Sequence, residues 1–380
     1  MPVPPTWIEV SLSALRHNLR ALEAHVGKEV AVCPVIKSDA YGHGAAGCAQ
    51  ALRDAGARWF AVSSVEEGIA LRRRGIKDHI LILSGFWRGE EDAIVMNEVT
   101  PTLWEPSQIE GLQIAAAKMG PQFRLPIHLK VNTGMNRLGA DLKDLPWMYK
   151  AIAAAQHLLL EGVFSHFAAS EVAGQAHGDE QLRKFHEALA LGEKIGLKPQ
   201  IRHMANSAGI VTRPESWFDM VRPGLAIYGH CLPLSAADSA SVPAAVTLKP
   251  ALTWKARVLQ VRDVAAGEQV GYSAGHITKS PTRVAILPVG YGDGLTRRLS
   301  SRGRVIVNDA YAPILGNVSM NLTAVDVTGI PGVAAGDEAI LIGASAGCKI
   351  EVVEHAQLAA TIPYEILCNI SGRLPRTYVK

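Results

Sequence analysis

Residues 35–47 read VIKSDAYGHGAAG, a literal G-x-G-x-x-G behind an apolar run. A dinucleotide cradle needs its first glycine at the strand-to-helix turn and an acid about 20 residues on. Here five residues, one of them the ionisable Lys37, separate the apolar run from Gly42. The position about 20 residues past Gly42 is Val62, in WFAVSSV, and no acid ends that strand. The stretch therefore reads as a strand delivering Lys37, and the surrounding rhythm decides the fold.

From residue 30 to residue 229 the chain offers eight short β-rich runs: EVAVCPVIK, RWFAVSSV, HILILSG, VTPTLWE, RLPIHLKVN, HLLLEGVFSH, IRHMANS and MVRPGLAIYG. Between most of them lie helix-like segments such as AAGCAQALRDAG, VEEGIALRRRG and SQIEGLQIAAAKMG. The last, DEQLRKFHEALALGEKIG, carries Leu182, Phe185, Leu189 and Ile195 at helical spacing. Strand-helix alternation implies parallel pairing with helices outside, and eight units close a (βα)8 TIM-type barrel. CLPLSAADSASVPAAVTLKP reads as a linker. Beyond it the runs are short, alternating and glycine-bounded, which signals antiparallel strands. The expected α/β architecture is a barrel over 1–240 followed by a mainly β C-terminal domain over 241–380. Residues 1–10 form a further strand that can join either part, and SLSALRHNLRALEAHVG is a helix.

At 380 residues the chain exceeds ordinary single-domain size. Its net charge of +3 and the absence of any basic run longer than residues 72–74 disfavour nucleic acid. That arginine triplet reads as a solvated helix face. MPVPPTWIEV lacks the pattern of a secretory signal, and no apolar span is long enough for a bilayer, so a cytoplasmic, non-membrane protein is expected. The five cysteines, at 33, 48, 231, 348 and 368, lack metal spacing and read as buried small hydrophobes; no metal site is expected.

Barrel chemistry collects at the carboxyl ends of the strands. Lys37, Lys130 with Asn132, His166, Asn206 with Ser207, and Arg222 all fall at such ends. Each has a plain alternative: a solvated lysine, a half-buried histidine, an N-cap pair, an arginine bonded to loop carbonyls. Together they suit one cofactor. A desolvated lysine amine is a Schiff-base nucleophile. Pyridoxal 5'-phosphate needs that lysine, phosphate donors and a ring-nitrogen partner. Tyr41, Ser207 and the Gly224-Leu225 turn supply the donors, and Arg222 the partner.

These residues resemble the alanine racemase family. The similarity runs from WIEVSLSALRHNL through VIKSDAYGHG, HLKVNTGMNRLG, SHFA, ANSAG, VRPGLAIYG, VGYSAG, LPVGYGDG, GNVSMN and TIPYEILCNIS to RLPRTY. The resemblance implies that Lys37 holds the cofactor covalently and shares proton transfer with Tyr272, on opposite faces of the substrate Cα. It further implies cofactor contacts at Tyr41, Arg137, His166, Asn206, Ser207, Arg222, Gly224, Leu225 and Tyr364, and substrate carboxylate contacts at Arg137 and the Met320 backbone. Tyr291 lines the entrance, Lys130 is either carbamylated or an ordinary lysine, and a homodimer shares its active sites because Tyr272 and Met320 come from the partner. The implied reaction interconverts L- and D-alanine and supplies D-alanine for peptidoglycan.

Met320-Asn321 stands where many relatives have Met-Asp, His276 where an aromatic is frequent, and TIPYE for TINYE; these departures bear on strictness for alanine. A broad-specificity or serine racemase is the nearest alternative. A pyridoxal-phosphate homeostasis protein lacks the β domain carrying Tyr272, and a basic amino-acid decarboxylase places an acid, not Arg222, at the ring nitrogen.

Overall fold

The computed structural model describes residues 5–170, 176–231 and 246–380. The linker expected over 231–250, and with it the 240/241 boundary, lies mainly outside the described residues. The chain forms two compact units. One comprises Ala14–Ala40 and Ala45–Lys249; the other comprises Met1–Ser13, Tyr41–Gly44 and Pro250–Lys380.

In chain order, β1 (Thr6–Ser11) precedes the eight strands of the first unit: β2 (Ala31–Val32), β3 (Trp59–Val62), β4 (His79–Ile82), β5 (Thr102–Leu103), β6 (Leu125–Lys130), β7 (Leu158–Phe164), β8 (Ile201–His203) and β9 (Met220–Val221). All eight neighbour pairs are parallel. Ladders join β3 to β4, β5 through β8, and β9 to β2. Single bridges at Val35–Ala61, Leu81–Thr100 and Asn206–Arg222 complete the ring. The sequence explains the pairing: WFAV of β3 is buried at every position, as strands covered on both faces must be. One rim therefore receives the carboxyl end of every strand.

Among the outer helices, Val65–Arg73 starts at Ser64, whose hydroxyl accepts the Glu67 N–H. Helix Ala176–Glu193 buries Gln181, Phe185, Ala188, Leu189 and Gly192. Ile195 does not join that face: the helix has already ended, and this side chain is exposed. Arg72 also departs from expectation. Rather than standing in solvent with Arg73 and Arg74, it donates to the carbonyls of Ile76, Asp78, Asn97 and Glu98 and ties the helix end to two loops. Cys33 and Cys48 are buried, but Cys231 and Cys368 are exposed and Cys348 is half-buried: Cys348 opens the short strand Cys348–Ile350 and Cys368 ends the helix Pro363–Cys368, away from core faces.

The second unit is mainly β. Its sheet adds β10 (Leu252–Arg257), β11 (Gln260–Val264), β12 (Thr282–Leu287), β13 (Arg304–Val307), β14 (Ala310–Leu315), β15 (Thr323–Asp326), β16 (Glu338–Ser345), β17 (Cys348–Ile350) and β18 (Arg376–Val379). The strand order is β11-β12-β15-β14-β13-β16-β10-β1-β18, with β17 on β16. LTWKAR of β10 alternates buried and half-buried positions, the mark of a sheet with one covered face. β1 belongs here, antiparallel to β10 and parallel to β18.

The glycines of the opening motif serve this unit. Gly42 has φ +78°, and a Cβ there would meet the Leu367 carbonyl oxygen at 2.4 Å. Gly44 has φ +91°, and its Cβ would meet the Tyr378 hydroxyl at 2.2 Å. Arg376 donates to the Gly42 carbonyl at 3.0 Å. Close backbone packing, not phosphate, requires these glycines.

Candidate active site

Past β2 the backbone is pinned on both sides. The Val35 N–H reaches the Pro223 carbonyl at 2.9 Å, and the Ile36 N–H reaches the Ala61 carbonyl at 2.8 Å. Lys37 follows, half-buried. Ser38, Asp39, Ala40 and Tyr41 then all adopt left-handed φ values of 52°, 52°, 56° and 51°. Each such residue costs about 1–2 kcal/mol, so the turn persists only if its surroundings enforce it. They do. The Ser38 N–H donates to Glu67 Oε1 at 2.6 Å, the Ala45 N–H to Asp39 Oδ1 at 2.7 Å, and the Ser63 N–H to the other Glu67 oxygen at 2.7 Å.

Arg222, directly after β9, is buried. Its guanidinium donates to His203 Nδ1 at 2.6 Å, to the carbonyls of Ser165 at 2.8 Å and Met204 at 3.1 Å, and to His166 Nδ1 at 3.3 Å. Burial lowers its pKa to about 10, so it stays a cation at neutral pH. His166 is held well below its ordinary value by burial and by Arg222, Lys130, Arg137 and Lys37. It is a neutral ring with its proton on Nε2, since Nδ1 accepts from arginine.

Lys130 ends β6, buried beside the Phe164 ring. Desolvation, then Arg222, Arg137 and Lys37, lower its pKa to about 7. Four basic side chains, Lys130 only partly charged among them, thus share one rim, which suits an anionic ligand. Ser207 Oγ accepts the N–H groups of Gly224 and Ala226 at 2.9 and 3.1 Å, leaving its own proton to donate. Leu225 opens the 3-10 turn Leu225–Tyr228, and its N–H has no acceptor within that turn. Lysine, hydroxyl, turn N–H and guanidinium match the donor set that pyridoxal phosphate requires.

Two residues behave more plainly. Asn206 is the N-cap of helix Ser207–Thr212 and accepts the Gly209 N–H at 3.0 Å. Asn132 organises the loop that carries the exposed Arg137, accepting the N–H groups of Gly134 and Asn136 and donating to Asp141.

The β unit carries the other residues. The Tyr41 and Tyr364 rings lie 5.7 Å apart. Tyr272 follows Gly271 (φ +74°) and stands 71% exposed at the edge of a cleft of about 410 Å³ lined by Val284, Leu315, Asn317 and Leu322. Met320 and Tyr291 are also exposed. They are neighbours, because the Tyr291 N–H bonds to the Ser319 carbonyl at 3.0 Å and the Gly292 N–H to the Met320 carbonyl at 2.8 Å. Asn321 donates to Asp293 at 3.4 Å.

The sequence reading missed His203, His128 and Glu161. The signal was the period of two: His128 shares the inward face of β6 with Lys130, and Glu161 is a lone acid in an apolar strand.

Two family models match the chain: "Alanine racemase, N-terminal domain" over residues 10–231 and "Alanine racemase, C-terminal domain" over residues 251–378. An alanine racemase from Symbiobacterium thermophilum is 40% identical over 374 residues, covering 98% of this chain and 97% of that protein. The crystal structure of alanine racemase from D-cycloserine-producing Streptomyces lavendulae superposes with a TM-score of 0.92 at 35% identity, covering 100% of this chain and 98% of that one. The Bartonella henselae alanine racemase, solved with covalently bound pyridoxal phosphate, gives 0.86 at 31% identity, with 99% and 100% covered.

Proposed function

The chain belongs to the alanine racemase family, and from that premise we propose that it interconverts L- and D-alanine using pyridoxal 5'-phosphate joined to Lys37. The observation that carries this reading is the buried Arg222 beside a neutral His166, ringed by Lys37, Lys130 and Arg137. Bound pyridoxal phosphate would supply an electron sink for the charge left when the substrate Cα loses its proton. The remaining work falls to side chains.

The Lys37 amine exchanges a proton with Cα on one face and the Tyr272 phenol does so on the other; one removes while the other returns, which inverts the centre. His166 offers an Nε2–H that can stabilise the phenolate form of a facing tyrosine. Arg222 has donors only, so a ring nitrogen facing it stays unprotonated, which restrains protonation away from Cα. Tyr41, Asn206, Ser207, Gly224, Leu225 and Tyr364 hold the phosphate end. Arg137 and the Met320 backbone hold the substrate carboxylate, and Tyr291 borders the approach. Lys130, held near pKa 7, is substantially an uncharged amine at neutral pH; it adds carbon dioxide, releases a proton and becomes a carbamate anion facing Arg137.

Tyr272, Met320, Ile277 and Leu322 each expose apolar surface on the β unit, Tyr272 and Leu322 on one cleft, and such surface calls for cover. A second copy of the chain supplies it in this reading, giving a cytoplasmic homodimer with shared sites that feeds D-alanine to peptidoglycan. Among the described residues no helix is long and apolar enough to cross a membrane. Asn321, an amide bonded to Asp293 where the family's commonest pattern has an acid, supports a second reading in which serine is also accepted.

The experiment is incubation of the purified protein with L-alanine in deuterium oxide. Deuterium at Cα together with D-alanine supports the reading; recovery of unlabelled L-alanine defeats it.

A further inference from the structure

The barrel interior holds a file of polar side chains that the reaction outlined above does not use. Arg222 donates to His203 Nδ1 at 2.6 Å. His203 Nε2 lies 2.9 Å from His128 Nδ1, and His128 Nε2 lies 3.2 Å from Glu161 Oε2. Both imidazoles are fully buried and Glu161 is 7% exposed. At the far end, His79 Nδ1 approaches Glu161 Oε1 at 3.9 Å and stacks on Trp59 at 4.1 Å. His79 is the first residue of β4, so the file runs from the amino-terminal face of the barrel to its catalytic mouth.

Barrel interiors are ordinarily filled by branched apolar side chains, and a buried carboxylate is costly unless it is paired. This chain is shaped to admit one. β6 pairs Ile127 with Leu160 but His128 with Gly162, so Glu161 is the extra residue of a β-bulge, a device that re-aims a side chain. Gly162 makes room: a Cβ there would lie 2.4 Å from His128 Cε1.

From this arrangement we infer that Glu161 is a positioning residue for Arg222, acting through His128 and His203. The argument is one of polarity. A guanidinium only donates, so His203 must accept at Nδ1 and carry its proton on Nε2. That proton points at His128 Nδ1, which places the His128 proton on Nε2, facing a carboxylate that only accepts. Burial lowers the pKa of both rings, so each stays neutral with a single proton to place. Every bond in the file is directed toward Glu161. Without that acceptor the file can reverse. His203 would then present Nδ1–H to Arg222, and two donors facing each other would turn the guanidinium from its bonds to Ser165 and Met204.

This inference rests on the reading that Arg222 faces the cofactor ring, and its test separates the two. The first measurement is nitrogen-15 NMR of histidine-labelled protein without cofactor. Wild type should show His128 and His203 protonated on Nε2 only. Glu161→Ala should populate the Nδ1–H form of His203 and lower kcat on the order of tenfold, the scale of second-layer orienting partners, with KM for alanine within about twofold. Glu161→Gln, whose amide oxygen still accepts, should restore both the tautomers and kcat. Unchanged tautomers in Glu161→Ala overturn the inference, and so does a changed His203 tautomer with wild-type kcat. If Glu161→Ala does not fold, Glu161→Met, which fills the same space without an acceptor, decides on the same two readouts. Absence of a Lys37-dependent visible absorbance in cofactor-loaded wild type defeats the functional reading and leaves the tautomer result standing.

Discussion

The barrel unit and the β unit treat their proposed site residues in opposite ways. In the barrel, Arg222 and Lys130 are buried, and Arg222 makes four directed bonds to His203, Ser165, Met204 and His166. In the β unit, Tyr272, Met320 and Tyr291 stand in solvent on turns shaped by Gly271 and by the Tyr291–Ser319 backbone bond. One region presets an electrostatic environment before any ligand arrives, and rigid dipoles aimed in advance require no rearrangement during reaction. The other offers side chains outward. An exposed catalytic group can be lost without harm to the fold, whereas an interior one disturbs both.

The sharpest test of this contrast is chemical. Lys37→Ala should abolish the visible absorbance of bound cofactor and reduce turnover more than about 10³-fold; an unchanged spectrum removes Lys37 from its proposed role. Tyr272→Phe should lower turnover about 10²- to 10³-fold, chiefly through proton exchange from one enantiomer. Its unfolding free energy should stay within about 0.5 kcal/mol of wild type, as at other exposed sites. Equal loss of exchange from both enantiomers, or a marked loss of stability, would break the comparison.

Lys130 sharpens it from the other side. With a folded pKa near 7 against an ordinary lysine value of about 10.4, the native state binds fewer protons than the unfolded chain across that window. Stability therefore rises with pH from about 7 to about 10.4, and the burial penalty is complete below it. In carbon-dioxide-free buffer, Lys130→Met should stabilise the protein on the order of 5 kcal/mol at pH 6 and bring almost no gain by about pH 10.5. A pH-independent difference in urea midpoints would refute the shift. The smallest effect concerns the left-handed turn. Glu67→Ala removes the acceptor for Ser38 and Ser63 and should cost about 1.5–3 kcal/mol. Cofactor affinity should weaken with it, measured by equilibrium dialysis, and unaltered affinity would mean that the turn holds without Glu67.

The architecture was legible because its signals are periodic. Eight apolar runs alternating with helix-like segments announced parallel strands, and the polar residues ending five of them marked the rim. What escaped depends on register and on unusual backbone, neither of which leaves a periodic trace. The bulge at Glu161 appears only when Ile127 and His128 are seen pairing with residues two apart. Four successive positive-φ residues in SDAY carry none of the glycine or asparagine that ordinarily announces such a turn. The interior histidines divide: His128 stands two residues before Lys130 in β6, a periodic signal that was passed over, whereas His203 ends a three-residue strand too short to show one.

The placement of residues 41–44 has a practical outcome for anyone wishing to divide this protein. The chain leaves the barrel unit at Tyr41 and rejoins it at Ala45, and within those four residues it is fitted against Leu367 and Tyr378. A fragment ending at Lys249 would strip those partners from the segment that follows Lys37, so a shortened chain would not merely lack Tyr272, the proposed second base, but would free the turn behind Lys37, the proposed first. Domain exchange between relatives should therefore carry the tetrapeptide along with the C-terminal half, treating the two as one graft.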